Sequence, residues 1–176
     1  EAEGRVDQGR QDVAAGRVPP LDDYLDALPG MEETPVPFLP RQYISRTIGH
    51  STSFDAGRGC PYQCSFCTII NVQGRKSRYR SPDDIEQLVR LNWAIGVSKF
   101  FITDDNFARN RAWEAILDRL IQLREVDAIP LGLMIQVDTL CHKLPGFVEK
   151  AKHAGVQRVS RGLETTHPAT PPLAHA

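Results

Sequence analysis

The amino-acid sequence predicts an α/β fold: a partial (βα) TIM-type barrel of about four parallel strands and three helices, preceded by an irregular N-terminal lead-in. Three observations carry that prediction. From Ser51 onward, apolar and β-branched runs of strand length alternate with amphipathic runs of helical length. The strand runs break off into polar residues. The pattern then stops near Glu164, well short of the roughly 250 residues of a closed eight-unit barrel.

Residues 1–50 hold little apolar periodicity and much punctuation, including Pro19-Pro20, Pro29-Gly30, Pro35, Pro37 and Pro40, and read as a linker or lead-in. One short helix is expected from about Leu21 to Leu28, where Leu21, Tyr24, Leu25 and Leu28 share a face and Pro29-Gly30 ends it. The first strand is Thr52 to Ala56, running into Gly57-Arg58-Gly59 and a cysteine-rich loop. The next helix has a marked start: Ser81 as N-cap, Pro82 in the first helical position, and Asp83 and Asp84 against the positive end of the helix dipole. Ile85, Leu88, Val89 and Ile95 form its inner side and Gly96 stops it.

Val97 to Thr103 is a dense apolar run that reads as a buried parallel strand ending at Asp104-Asp105-Asn106. A second helix covers about Arg111 to Glu125, with Trp113, Ile116, Leu117, Leu120 and Ile121 at helical spacing. Leu131 to Val137 is the third strand, closing in Gln136-Val137-Asp138. A third helix from about Pro145 to Ala154 is expected to bury Phe147, Val148 and Ala151, with Gly155 as its C-terminal cap residue. Val156 to Leu163 is a weaker fourth strand, interrupted by Ser160 and Arg161. Residues 51–164 thus form the partial barrel and 165–176 an irregular, proline-rich tail.

Composition narrows the function. The chain has 176 residues, 41% apolar and 24% charged, with a formal net charge of −1. That balance is ordinary for one globular domain and disfavours a dedicated nucleic-acid or acidic-membrane binder. No run approaches the roughly 18 apolar residues of a membrane helix, and the N-terminus has no apolar signal-peptide core, so a cytoplasmic setting is expected. Of four cysteines, three fall within eight residues, which in a reducing compartment points to metal or redox chemistry rather than to disulfides.

Those three, Cys60, Cys64 and Cys67, form a CxxxCxxC loop directly after a predicted strand. Parallel α/β folds bind ligands at the C-terminal ends of their strands. Thiolates are the usual ligands of cubane iron–sulfur clusters, and three of them leave one iron open to an outside ligand. Phe66, between the last two cysteines, would shield a cluster from water. The alternative is zinc held by the same cysteines with Cys141, His142 or His50. Structural zinc usually pairs two short cysteine knuckles, and no second knuckle is present.

The loop resembles that of the radical SAM superfamily, whose motif carries an aromatic residue where Phe66 stands. Gly57-Arg58-Gly59-Cys60-Pro61 and Thr68-Ile69-Ile70 look like those members that commonly carry an upstream cobalamin-binding domain. The resemblance covers roughly Ser51 to Glu164 and identifies the fold as a radical SAM core. It implies a [4Fe-4S] cluster on Cys60, Cys64 and Cys67, and S-adenosyl-L-methionine chelated to the open iron by its amino and carboxylate groups. It also implies reductive cleavage of that cofactor to a 5'-deoxyadenosyl radical. The partners implied are a small-molecule substrate and an electron donor such as flavodoxin or ferredoxin. Cobalamin belongs to full-length relatives; no DxHxxG cobalt-ligating sequence occurs in residues 1–50.

By the same resemblance, Asp104, Asp105 and Asn106 take the place that contacts the cofactor's amino group, where the family more often has Gly-Gly-Glu. Gln136, Asp138 and Glu164 stand at the following strand ends, near the cofactor ribose. Helix N-capping is the competing role for the Asp and Asn residues. The run Gly74 to Arg80 places four cations in six residues; it reads as a solvated loop, or one that meets a small anionic group. His50, His142 and His153 are isolated and read as surface or satisfied polar residues, Trp93 and Trp113 as packing residues. The expectation is therefore a radical SAM core cut after its fourth strand, with no protein catalytic residue assigned. A non-catalytic cluster-binding fragment is the second reading and a zinc module the third.

Overall fold

The computed structural model describes residues 11–18, 21–31, 34–45, 50–62, 64, 66–69 and 72–162. After a helical turn over 11–14 come two short helices, α1 (Leu21–Asp26) and α2 (Arg41–Ile44). Strand β1 (Ser51–Phe54) leads into the small antiparallel pair β2 (Gly57–Arg58) and β3 (Arg78–Tyr79), which brackets the cysteine loop. The rest alternates: α3 (Pro82–Trp93), β4 (Lys99–Ile102), α4 (Trp113–Glu125), β5 (Gly132–Gln136), α5 (Phe147–Ala154) and β6 (Val156–Ser160).

The four long strands form one parallel sheet in the order β1-β4-β5-β6, so each helical crossover ends beside the strand it left. Such sequential winding places every strand-end loop along one rim of the sheet. The predicted partial α/β core of four parallel strands and three main helices is therefore present.

Period-2 alternation sorts the side chains. Phe54, Phe100, Ile102, Leu133 and Ile135 point to the helical side, where Ile85, Leu88 and Val89 of α3 and Ile116, Leu117 and Leu120 of α4 meet them. Full burial of each such side chain is worth about 1.5–3 kcal/mol, which makes this layer the principal source of stability. Trp113 and Phe147 join α4 to α5 edge to face, with ring centroids 5.1 Å apart. The opposite face of the sheet carries Phe101 and Met134, half-buried, beside an open cavity of about 300 Å³.

Local signals explain the helix ends. Ser81 accepts from the Asp84 N–H, and the Asp84 carboxylate accepts from the Ser81 N–H, a complete capping box with Pro82 inside it. Gly155 caps α5 at φ +99°, as its position predicts. Two packing expectations are corrected. Val148 is 57% exposed, lining an open apolar groove beside Val137 and Val159, and Trp93 is 41% exposed.

The first strand also ends earlier than expected, at Phe54 rather than Ala56. The Ala56 and Gly57 amides leave the ladder to donate to the Asp104 carboxylate, at 2.7 Å each. The segment before β1 packs on the core: Ile44 is buried in it, and Val36 and Leu39 rest against it. Leu25 of α1 lies against Gly74, on the far side of the cysteine loop's return. Among the described residues no helix is long and apolar enough to cross a membrane.

The basic run at 74–80 is not simply a solvated loop. Arg75 and Lys76 are exposed, but Arg80 is only 1% exposed and Arg78 is buried as well. Arg80 donates to the Asp55 and Thr34 carbonyls and pairs with the Asp55 carboxylate, tying the lead-in to the end of β1. Arg78 donates to the backbone and side-chain oxygens of Gln73, closing the base of the loop.

Candidate functional site

The rim formed by the strand ends holds a cavity of about 170 Å³. Cys60, Cys64, Cys67 and Phe66 line it from the loop after β1, Asp105 and Asn106 from the end of β4, and Asp138 from the end of β5. Sequence reasoning named all seven, and the fold brings them together. Two of the other candidates lie off its wall, and a third is not described. Asp104 and Gln136 are beside the cavity but not on its wall, the Gln136 amide donating to the Asp104 carbonyl at 3.4 Å. Glu164 lies outside the described residues.

Chain geometry holds the cysteine loop against the strand ends. Gly59 adopts φ +87°, and a Cβ there would stand 2.5 Å from the Lys76 carbonyl oxygen. Only glycine combines that angle with that approach. The Gly59 N–H donates to Asp105 at 2.7 Å, and the Cys60 N–H reaches the Gly74 carbonyl at 3.4 Å. The Cys67 N–H turns back to the Cys64 carbonyl at 3.0 Å, which places those two thiols on one tight turn.

The three cysteines are not in disulfides and are partly buried. Burial raises the Cys60 thiol above its usual pKa, offset in part by hydrogen bonds from the Tyr62 backbone and the Asn106 side chain. Ligation would therefore release a proton there, as expected for a thiolate ligand. Among the described residues no group of three or more His, Cys, Asp or Glu side chains converges as the ligands of a single ion would. A cubane cluster makes a different demand, since each iron takes its own thiolate: three thiols spread along one wall of a cavity. This arrangement fits that demand. Phe66 stands at the mouth, 52% exposed, and covers only part of it.

Of the fourth ligands open to the zinc alternative, Cys141 and His50 lie away from the cysteine loop. Cys141 lines a separate apolar groove between α5 and β6, with Phe147 and Val159. His50 precedes β1 and so lies at the other end of the sheet from the cysteine loop. His142 engages the Thr139 carbonyl at 2.9 Å.

The carboxylates divide into two kinds. Asp104 is 2% exposed; one oxygen accepts the Ala56 and Gly57 amides and the other accepts from the Asn110 side chain at 2.8 Å. Burial lifts its carboxyl from 3.8 to about 7 despite those bonds. Asp138 receives Arg109 Nε at 2.7 Å, Arg109 Nη2 at 3.0 Å, Asn106 Nδ2 at 3.0 Å and the Leu140 N–H at 2.7 Å. Burial pushes Asp138 up, but those donors more than offset it and leave it below the usual carboxylate range. Both residues direct their oxygens to the protein's own donors. Asp105 keeps its carboxylate at the cavity wall, half-buried, its pKa raised chiefly by that burial.

Arg109, Tyr62 and Asn110 are functional neighbours that sequence reasoning did not single out. Arg109 meets Asp138 and Tyr62 from far away in the chain, so no local spacing marks that pair of contacts, whereas Asn110 donates to Asp104 six residues before it. The Asx-type cap in which Asn110 accepts the Ala112 N–H was the only legible sign.

Residues 55–174 match the sequence profile of the Radical SAM superfamily, and the chain belongs to that superfamily. It is 31% identical over 150 residues to the hopanoid C-2 methylase of Rhodopseudomonas palustris (strain TIE-1), covering 84% of this chain and 27% of the methylase. It is 39% identical over 116 residues to the cytidylyl-2-hydroxyethylphosphonate methyltransferase of Streptomyces wedmorensis, covering 60% of this chain and 21% of that enzyme. Among solved structures, the radical S-adenosylmethionine methyltransferase TsrM of Kitasatospora setae, with cobalamin and a [4Fe-4S] cluster bound, shares the fold. The TM-score is 0.58 at 22% identity, over 66% of this chain and 23% of that one. The chain spans about a quarter or less of the length of these curated relatives.

Proposed function

We propose that this chain is the cofactor-binding part of a radical SAM enzyme, holding a [4Fe-4S] cluster on Cys60, Cys64 and Cys67 with S-adenosyl-L-methionine beside it. The observation that carries this reading is the single cavity at the C-terminal rim of the sheet, walled by all three motif cysteines on one side and by Asp105 and Asn106 on the other. When bound, the pair supplies one-electron cleavage of a carbon–sulfur bond, fed by an external reductant such as flavodoxin or ferredoxin.

The chain's own residues then have separable tasks. The three thiolates hold the cluster and leave one iron unprotected by protein. Asp105 presents an acceptor, and Asn106 a donor and an acceptor, to the ammonium and carboxylate of the methionine moiety. Phe66 and Leu140 supply apolar wall, which limits water near the reacting centre. The half-buried Phe101 and Met134 on the uncovered sheet face offer a surface for a small-molecule substrate. The names of the relatives favour methyl transfer as the outcome, with cobalamin as a second cofactor.

Anaerobic reconstitution tests the reading. About four iron and four sulfide should bind per chain, falling to background in Cys64→Ala. With dithionite, S-adenosyl-L-methionine should yield 5'-deoxyadenosine or a methylated cobalamin when that cofactor is added. Full cluster loading with neither product would favour a non-catalytic cluster-binding fragment. Stoichiometric zinc with no cluster would refute the proposal outright.

A further inference from the structure

We infer that Arg109 is a positioning residue for the cofactor cavity, one that locks the cysteine loop to two strand ends without touching the cofactors itself. The inference rests on the function proposed above and assigns a role to a side chain set behind the cavity wall.

Arg109 closes the short 3-10 turn Phe107–Arg109 after β4, with Phe107 fully buried beneath it. Its guanidinium fork grips both oxygens of Asp138, at 2.7 and 3.0 Å, at the end of β5. Its carbon centre also lies 5.3 Å from the centroid of the Tyr62 ring, in the cysteine loop. Both Asp138 and Tyr62 line the cavity, whereas Arg109 does not. One side chain therefore joins three segments that are 29 residues apart on one side and 47 on the other (138 − 109 and 109 − 62).

The rest of the tie follows from Asp138. Held by Arg109, it accepts the Asn106 amide at 3.0 Å, while its own N–H returns to Asn106 Oδ1 at 3.3 Å. That reciprocal pair fixes the orientation of the Asn106 amide at the cavity wall beside Cys60. Releasing Arg109 would free Tyr62 and the amide together. Arginine is required because a planar fork can grip a carboxylate edge-on and present its face to a ring at once; a lysine ammonium can do one or the other.

The test compares wild type with Arg109→Gln, Arg109→Lys, Tyr62→Ala and Tyr62→Phe, each reconstituted anaerobically with iron and sulfide. S-adenosyl-L-methionine is titrated against the electron paramagnetic resonance signal of the reduced cluster. Iron content should match wild type throughout. The cofactor Kd should rise about tenfold in Arg109→Gln, Arg109→Lys and Tyr62→Ala, at the low end of what outer-shell partners confer, and by less in Tyr62→Phe, which keeps the ring contact but loses the hydroxyl hydrogen bond to Arg109. The Arg109→Gln/Tyr62→Ala double variant should be no weaker than either single, since both cut the same link. An unchanged Kd in Arg109→Gln, or full additivity in the double variant, would overturn the inference.

Should a variant fail to load, amide hydrogen exchange over residues 60–69 of the metal-free chain decides. Faster exchange in Arg109→Gln and Tyr62→Ala than in wild type supports the lock; equal exchange refutes it. If wild type itself takes up no cluster, the proposed function fails, and the exchange comparison still judges Arg109.

Discussion

Replacing Asp104 by asparagine should flatten the pH dependence of folding stability on the acid side of neutrality. The folded carboxyl titrates at about 7 against 3.8 when unconstrained, because burial penalises its charged form. Between those values the folded chain holds a proton that the unfolded chain has lost, so stability declines as pH rises through the window. Each unit is worth about 1.4 kcal/mol, and the full window of about three units gives about 4 kcal/mol, present below pH 3.8 and gone above pH 7. Asparagine cannot titrate. Its carbonyl can still accept the Ala56 and Gly57 amides, but its NH2 would face the Asn110 Nδ2 donor, whose own oxygen is engaged by the Ala112 N–H. That mismatch adds a pH-independent cost of about 1 kcal/mol. Urea unfolding of the reduced, metal-free chain at about pH 4.5, 5.5 and 6.5 measures both effects. The stability difference, wild type minus variant, should fall by close to 3 kcal/mol across that range. A difference that stays constant with pH would refute the assignment of Asp104 as the buried titrating group.

Three further substitutions separate the loop from its scaffold. Gly59→Ala sets a Cβ 2.5 Å from the Lys76 carbonyl at φ +87°, so it should cost about 1–3 kcal/mol in urea unfolding and lower iron uptake with it; normal uptake would show that the loop conformation is not required. Ser81→Ala removes the capping box of α3 and should cost about 1 kcal/mol, lowering Tm by about 2–4 °C in a thermal scan while leaving cluster loading unchanged. Arg80→Met keeps most of the volume but strips donors from the Asp55 and Thr34 carbonyls, with an expected loss of about 3 kcal/mol by urea unfolding. A loss below about 1 kcal/mol would mean that the lead-in is held by its apolar contacts alone.

Where local chemistry decides, the sequence was readable. Ser81-Pro82-Asp83-Asp84 announces a helix start because every residue satisfies an orphan amide, a fixed φ or the dipole at that one place. The cysteine loop was equally legible, since ligand spacing within eight residues is a local property. Asp104 and Asp138 were harder. Their type and position suit either a ligand contact or an internal anchor, and only the arrival of Ala56 and Gly57 at one, and of Arg109 at the other, distinguishes the roles. Arg80 was misjudged because four neighbouring cations read as a solvated run. The available signal was the alternation Arg78–Tyr79–Arg80, buried, exposed, buried, which is a strand period rather than a loop. Trp93 and Val148 failed for the opposite reason: apolar character was equated with burial, although both side chains stay largely exposed, Val148 in an open groove.

The sequential order β1-β4-β5-β6 also leaves β6 as an outer strand, and among the described residues its far side has no ladder partner. Its row of amides and carbonyls is a template for strand addition, with Val159 exposed to reward any arrival. Arg158 stands exposed in the middle of that strand. Two copies meeting antiparallel about Arg158 would oppose like charges, which discourages self-association, whereas a strand bringing an acidic residue to that register would be drawn in. A single charge thus sets which strand can pair at that register.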